Sequence, residues 1–143
     1  MNPVLFSNER EDWETPNDFF KALDAEFRFT LDAAASRENH KCPKYFTAEE
    51  NALLQNWGGE TVWLNPPYGR NIGAWVKKAY EESQKPGTKV VMLVPSRTDT
   101  AWFHDYIFGK AKIRFVRGRL KFGKSKYNAP FPNLVAIYEW EGV

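Results

Sequence analysis

The chain has a single cysteine, Cys42, and only two histidines, His40 and His104. A lone thiol excludes an internal disulfide framework, and so few thiolate or imidazole groups leave a structural zinc ion without a ligand set. The "HKC" run at 40–42 therefore reads as ordinary loop or core chemistry, and no metal is expected. Long apolar runs are missing as well. None reaches the length that crosses a bilayer, and no charged-then-apolar leader opens the sequence, so the expectation is a cytoplasmic protein with no membrane partner. No repeat, low-complexity segment or Gly/Ser linker divides the 143 residues, which are expected to form one domain, 1–143. Acid is missing from one particular stretch. "KAKIRFVRGRLKFGKSK" contains many lysines and arginines and no Asp or Glu, although the net charge of the chain is only +2.

What is present reads as alternating strands and helices. "NDFFKALDAE" carries apolar side chains at helical spacing behind Asn17 as a candidate N-cap. "RFTLDAAAS" reads as a strand ending at Asp32, and "EENALLQNW" contains a possible helical turn. "TVWLNPP" is a strand, "NIGAWVKKAYEES" an amphipathic helix, and "TKVVMLVPS" a buried strand. "TDTAWFHDYIF" reads as helical behind Thr98 or Asp99, and "KIRFVRG" and "LVAIYEW" as two further strands. This order predicts an α/β fold, a mostly parallel sheet flanked by helices. In such sheets ligands bind beyond the carboxyl ends of the strands, which places Asp32, Asn65 and Pro95-Ser96 on one rim.

The tetrapeptide Asn65-Pro66-Pro67-Tyr68 carries the clearest chemistry. Neither proline offers an N–H, and Pro66 restricts Asn65 before it, so the strand stops in a rigid turn. The turn offers a side-chain carbonyl, a backbone carbonyl and a flat aromatic face. Two fixed acceptors suit a planar –NH₂ group with two donors, and the ring suits stacking of the base that bears it. Holding both hydrogens favours a pyramidal nitrogen whose lone pair is free to attack, with fixed dipoles aimed at the developing charge.

Asp/Asn/Ser-Pro-Pro-aromatic is the hallmark of S-adenosylmethionine-dependent methyltransferases that act on exocyclic or amide nitrogens. The chain as a whole resembles the phage and prophage type of DNA N-6-adenine methyltransferase, the Dam family. "WETPNDFF", "FTLDAAAS", "KCPKYFT", "NPPYGR", "MLVPSRTDTAWFHD" and "GRLKFG…APFP" carry the resemblance in order across nearly the whole chain. It implies a compact Rossmann-like S-adenosylmethionine-dependent fold, in a bacterial or phage-infected cell, acting on double-stranded DNA. Asn65 and the Pro66 carbonyl would accept from the adenine amino group while Tyr68 stacks on the base, flipped out of the duplex. Asp32 with Ala33, and Thr15 with Pro16, would hold the methionine end of the cofactor. Asn51 stands where relatives place an acid against the cofactor's adenine. Glu38, Glu49 and Glu50 are alternatives for the ribose. Phe131 would flank the flipped base.

The "DAAAS" segment departs from the family pattern, having alanines and a serine where a glycine is usual. The basic loop around 117–132 is expected to face DNA, with phosphate contacts from Arg117, Arg119, Lys121, Lys124 and Lys126, joined by Arg70 and Arg97. Plainer readings stand beside these. Asp32 could cap a helix starting at Ala33, Thr15-Pro16 could simply begin a helix, Phe131 could be core, and the basic run could be a solvated face. Three functions are compatible with the residues: a DNA adenine methyltransferase, an amino-methyltransferase acting on cytosine, RNA or a protein glutamine, and an inactive DNA-binding relative.

Overall fold

The computed structural model describes residues 14–123 and 128–142. Five strands form one sheet in the order β1-β2-β3-β5-β4: Leu31–Asp32, Thr61–Leu64, Lys89–Pro95, Asn133–Glu139 and Lys112–Phe115. β1, β2 and β3 are mutually parallel, whereas β5 is antiparallel to both β3 and β4. The sheet is mixed, with β5 as the one reversed strand in an otherwise parallel set. Among the described residues no helix separates β4 from β5, and a parallel neighbour would have needed a crossover connection. Because β4 and β3 both oppose β5, all the other strands point the same way and end on one rim.

The long pairing of β3 with β5, from Lys89↔Glu139 to Pro95↔Asn133, is the spine of the core. Val90 to Val94 and Leu134 to Tyr138 are buried on both faces, which explains their near-continuous apolar sequence. α1 (Asn17–Phe27) lies on one face: Phe20 meets Trp63 edge-on at 5.4 Å, and Glu26 takes both guanidinium nitrogens of Arg114. α2 (Ile72–Ser83) and α3 (Ala101–Tyr106) cover the other, where the Tyr138 hydroxyl, from β5, donates to the Tyr106 carbonyl.

Two caps differ from the sequence reading. Pro16, not Asn17, stands at the cap of α1, so Asn17 is already helical and its Oδ1 accepts from Lys41 Nζ instead. Thr100, rather than Thr98 or Asp99, caps α3, its hydroxyl accepting from Phe103 N. Cys42 is buried, and burial pushes its thiol up to about 12, as befits an inert core residue. Among the described residues no cluster of His, Cys, Asp or Glu could hold a metal, and no helix is long and apolar enough to cross a membrane.

Candidate active site

β1 and β2 end side by side, Asp32 opposite Trp63, and the chain leaves both strands on the same rim. Between these exits lies a cleft of about 820 Å³. Thr15, Asp32, Ala33, Asn51, Asn65 and Pro67 all line it, so residues far apart in sequence meet at one site. Its walls mix apolar and acidic groups: Phe46, Leu53 and Trp75 on one hand, Glu14, Glu38 and Glu49 on the other. Glu50 is not part of the lining; its carboxylate accepts from Thr47 N and Oγ1 and holds the turn before Asn51.

Asp32 does not cap a helix, because none begins at Ala33. Its Oδ2 accepts from Lys41 N at 2.8 Å and its Oδ1 from Ala34 N at 3.3 Å, which closes the 33–41 loop over the end of β1. Burial pushes its carboxyl above the ordinary value, and the two N–H groups oppose that push. Asn51 has a left-handed backbone, φ 54°, and its side-chain oxygen accepts from Leu53 N, capping the short 3-10 turn Ala52–Leu54. The oxygen expected to face a cofactor amine is therefore used within the turn.

Asn65 leaves β2 directly into the cleft, and its Nδ2 donates to Thr15 Oγ1 at 3.0 Å. That bond fixes the amide orientation if the threonine hydroxyl is the acceptor, leaving Oδ1 as the carbonyl end. Thr15 is buried, so the N-terminal end of α1 and the end of β2 are tied at the site. Pro16, one residue on, does not line the cleft; it begins α1. Pro66 is buried and lies outside the cleft lining.

Tyr68 also lies outside the lining, and it is 7% exposed. Its hydroxyl donates to the Leu93 carbonyl at 2.9 Å and accepts from Asn133 Nδ2 at 3.3 Å. Burial holds the phenol well above its ordinary value, so it is a neutral donor at any physiological pH. Phe131 and Phe122 stand edge-on to the ring at 5.6 Å and 6.2 Å. Phe131 is thus at once part of an aromatic cluster and beside the tetrapeptide.

The basic residues Arg70, Arg97, Arg117, Arg119 and Lys121 are all exposed, and none forms an ion pair among the described residues. Arg97 follows β3 and Arg117 follows β4, on the rim that also carries Asn65. Lys124 and Lys126 lie outside the described residues. The segment is anchored at its inner side by Gly123 N to Glu14 O, 2.9 Å, and Ala129 N to Leu120 O, 2.7 Å.

Sequence reasoning missed Trp75, Phe46 and Leu53 as cleft walls, since each also fits a core pattern. It missed Asn133, whose only signal is a polar residue between "APFP" and a buried strand.

The residues 4–133 match the family model described as DNA N-6-adenine-methyltransferase (Dam). A DNA N-6-adenine-methyltransferase of Escherichia phage T1 is 38% identical over 113 residues, 78% of this chain and 47% of that protein. The protein of the same description from Haemophilus phage HP1 is 33% identical over 111 residues, 76% of this chain and 64% of that one. The chain thus spans about half to two thirds of the length of these curated relatives. With a family match across most of its length, the chain belongs to the DNA N-6-adenine-methyltransferase (Dam) family.

Proposed function

We propose that the chain is a DNA adenine methyltransferase domain with a Rossmann-like S-adenosylmethionine-dependent architecture. The observation that carries this reading is the meeting of Asn65 with the cleft: the first residue of Asn-Pro-Pro-Tyr is held by Thr15 and opens onto the space lined by Asp32, Glu38, Glu49 and Trp75. A cleft of about 820 Å³ lies within the usual range for sites that enclose a cofactor.

S-adenosylmethionine fits the donor set. The ammonium of its methionine end suits the carboxylates of Glu14 and Asp32, beside Thr15 and the 33–36 loop, a ribose suits Glu38 or Glu49, and an adenine suits Leu53, Phe46 and Trp75. When bound, the cofactor supplies a methyl group on an electrophilic sulfonium. Asn65 accepts one hydrogen of the target amine through Oδ1, and the Pro66 carbonyl accepts the other. Tyr68 stacks on the base after Phe131 or Phe122 yields room. By accepting from both N–H groups, these oxygens would stabilise the positive charge that grows on the attacking nitrogen and leave its lone pair directed at the methyl. The amine itself is the nucleophile, so no cysteine is needed, in keeping with the buried Cys42.

Exposed Arg70, Arg97, Arg117, Arg119 and Lys121, without ion-pair partners among the described residues, support duplex DNA as the polyanion. The names of the two phage relatives support adenine in DNA over the other substrates. The test is label transfer from methyl-tritiated S-adenosylmethionine to unmethylated duplex DNA, total RNA and cell protein, with nucleosides identified after digestion. Label in N-6-methyladenine from DNA is expected. Asn65→Ala should abolish that label while cofactor binding stays near wild type. Activity within a few-fold of wild type in this variant would remove Asn65 from the chemistry, and label confined to RNA or protein would move the substrate.

A further inference from the structure

The ladder between β2 and β3 ends at Leu64↔Met92, because Pro66 and Pro67 have no N–H with which to continue it. The next carbonyl on β3, Leu93 O, receives the Tyr68 hydroxyl instead, at 2.9 Å. On the other side of β3, Pro95 has no N–H for its partner Asn133 either. There the Asn133 amide steps in: its Nδ2 donates to Val94 O at 3.2 Å and to the Tyr68 hydroxyl at 3.3 Å. A backbone carbonyl only accepts, so the nitrogen end of the amide must face Val94, which settles the orientation of the side chain. Asn133 is 1% exposed and spends both amide hydrogens on this arrangement. Its Oδ1 has no hydrogen-bond partner among the described residues, a cost that a residue selected only for stability would not carry.

We infer that Asn133 is a positioning residue for the tetrapeptide, latching the Tyr68 hydroxyl to β3 at the point where the sheet changes from parallel to antiparallel. The inference rests on the reading that Tyr68 stacks on the target base. The latch ties the turn after β2, which lies beyond the β2–β3 ladder, to the end of β3 and the start of β5, which are already paired with each other. Without it the hydroxyl keeps only its bond to Leu93 O, and a small rotation of Tyr68 against Phe122 and Phe131 moves the stacking plane relative to the acceptors on Asn65 and Pro66. Misplacement of a bound group by about 1 Å costs on the order of a hundredfold in rate.

The experiment is a double-mutant cycle on methyl transfer to duplex DNA, using Tyr68→Phe and Asn133→Asp in the full chain, with cofactor affinity and thermal midpoint measured in parallel. Phenylalanine keeps the ring and removes only the hydroxyl; aspartate keeps the shape, sets a carboxylate against Val94 O and can only accept from the Tyr68 hydroxyl, which draws it away from Leu93 O. Each single variant is expected to lose about tenfold or more in kcat with cofactor affinity unchanged, and the double variant no more than the worse single. A purely structural role would lower the thermal midpoint and leave kcat of the folded fraction alone. Multiplying losses, or kcat within about twofold of wild type in Tyr68→Phe, would overturn the latch, and the second criterion holds even if Asn133→Asp does not fold. Tyr68→Ala separates the two readings. Full activity there would overturn the stacking role and Asn133 with it, whereas a dead Tyr68→Ala beside a fully active Tyr68→Phe would overturn the latch alone.

Discussion

Removing the carboxylate of Glu82 should cost far more than its place on a helix suggests. Glu82, in α2, is 5% exposed and accepts from Trp57 N at 2.6 Å and from Lys85 Nζ at 2.8 Å, with Lys78 Nζ at 3.4 Å. Burial raises its carboxyl, yet the bonds from Lys85 and Trp57 N and the charge of Lys78 outweigh that and hold it below the ordinary value of 4.5. Glu82→Ala strands the N–H of a fully buried tryptophan, about 1–3 kcal/mol. It also removes the counter-charge of Lys78, whose side chain is 15% exposed and keeps only the Gln55 carbonyl as acceptor; Lys85, at 42%, can turn to water and adds little. The total is about 3 kcal/mol, or roughly 10 °C in thermal midpoint for a domain of this size. Glu82→Gln keeps an acceptor for Trp57 and loses only the charge, so about 1 kcal/mol is expected.

The pH dependence distinguishes the two contributions. A carboxyl whose folded value is depressed stabilises the fold above its unfolded value and loses that contribution as pH falls through the folded one. The gap between wild type and Glu82→Gln should therefore be whole at pH 7 and close on acidification below about 4.5. Differential scanning calorimetry across that range is the assay. A midpoint drop under about 3 °C in Glu82→Ala would refute the reasoning, because it would mean that the Trp57 N–H and Lys78 find water without strain. The effect should reach the site as well: the Trp57 indole donates to Ala52 O, and Ala52 lines the cleft, so cofactor affinity measured well below the midpoint should also fall.

Asp32→Asn should weaken S-adenosylmethionine binding about tenfold or more, since one of its two acceptors becomes a donor facing Lys41 N or Ala34 N; an unchanged Kd by calorimetry would free the 33–41 loop from Asp32. Burial raises the folded value of this carboxyl above 3.8, so its ionised form is progressively less favoured by the fold as pH rises through that raised value, and replacing it by asparagine should cost less stability at pH 7 than at pH 4. Replacing Arg119 and Lys121 together by alanine should lower the slope of log binding constant against log salt by about 1.8, two phosphate contacts at about 0.9 each, and an unchanged slope would return both residues to a solvated face.

The strands and the tetrapeptide were legible because their signals are local. "TVWL" and "KVVMLVP" are continuous apolar runs, and two prolines after Asn65 admit few backbone conformations. The reversal of β5 was less visible, although the lack of a helix between the last strands already argued against a parallel crossover. The cleft wall from 33 to 51 has no period to read: it is irregular chain held by side chain to backbone bonds, Asp32 to Lys41 N, Ser36 to Asn39 N and Glu50 to Thr47 N. Asn51 has a task that the motif does not display, since its oxygen caps a 3-10 turn while the residue lines the cleft. Asn133 escaped because its importance comes from the missing N–H groups of Pro66 and Pro67 after β2 and of Pro95 on β3, which no window around residue 133 contains.

Glu14 and Thr15 are neighbours, yet one holds Gly123 and the other holds Asn65. This dipeptide is where the ends of the chain close upon its middle. The Glu14–Gly123 contact closes one of the longest loops in the described fold, and each of these ties is a single hydrogen bond rather than a strand ladder. The site is thus a seam of single bonds laid against the apolar spine of β3 and β5. A nick or an inserted residue near position 14 would leave a folded sheet with no working centre, and protection of these amides from hydrogen exchange would track activity more closely than any probe of the core.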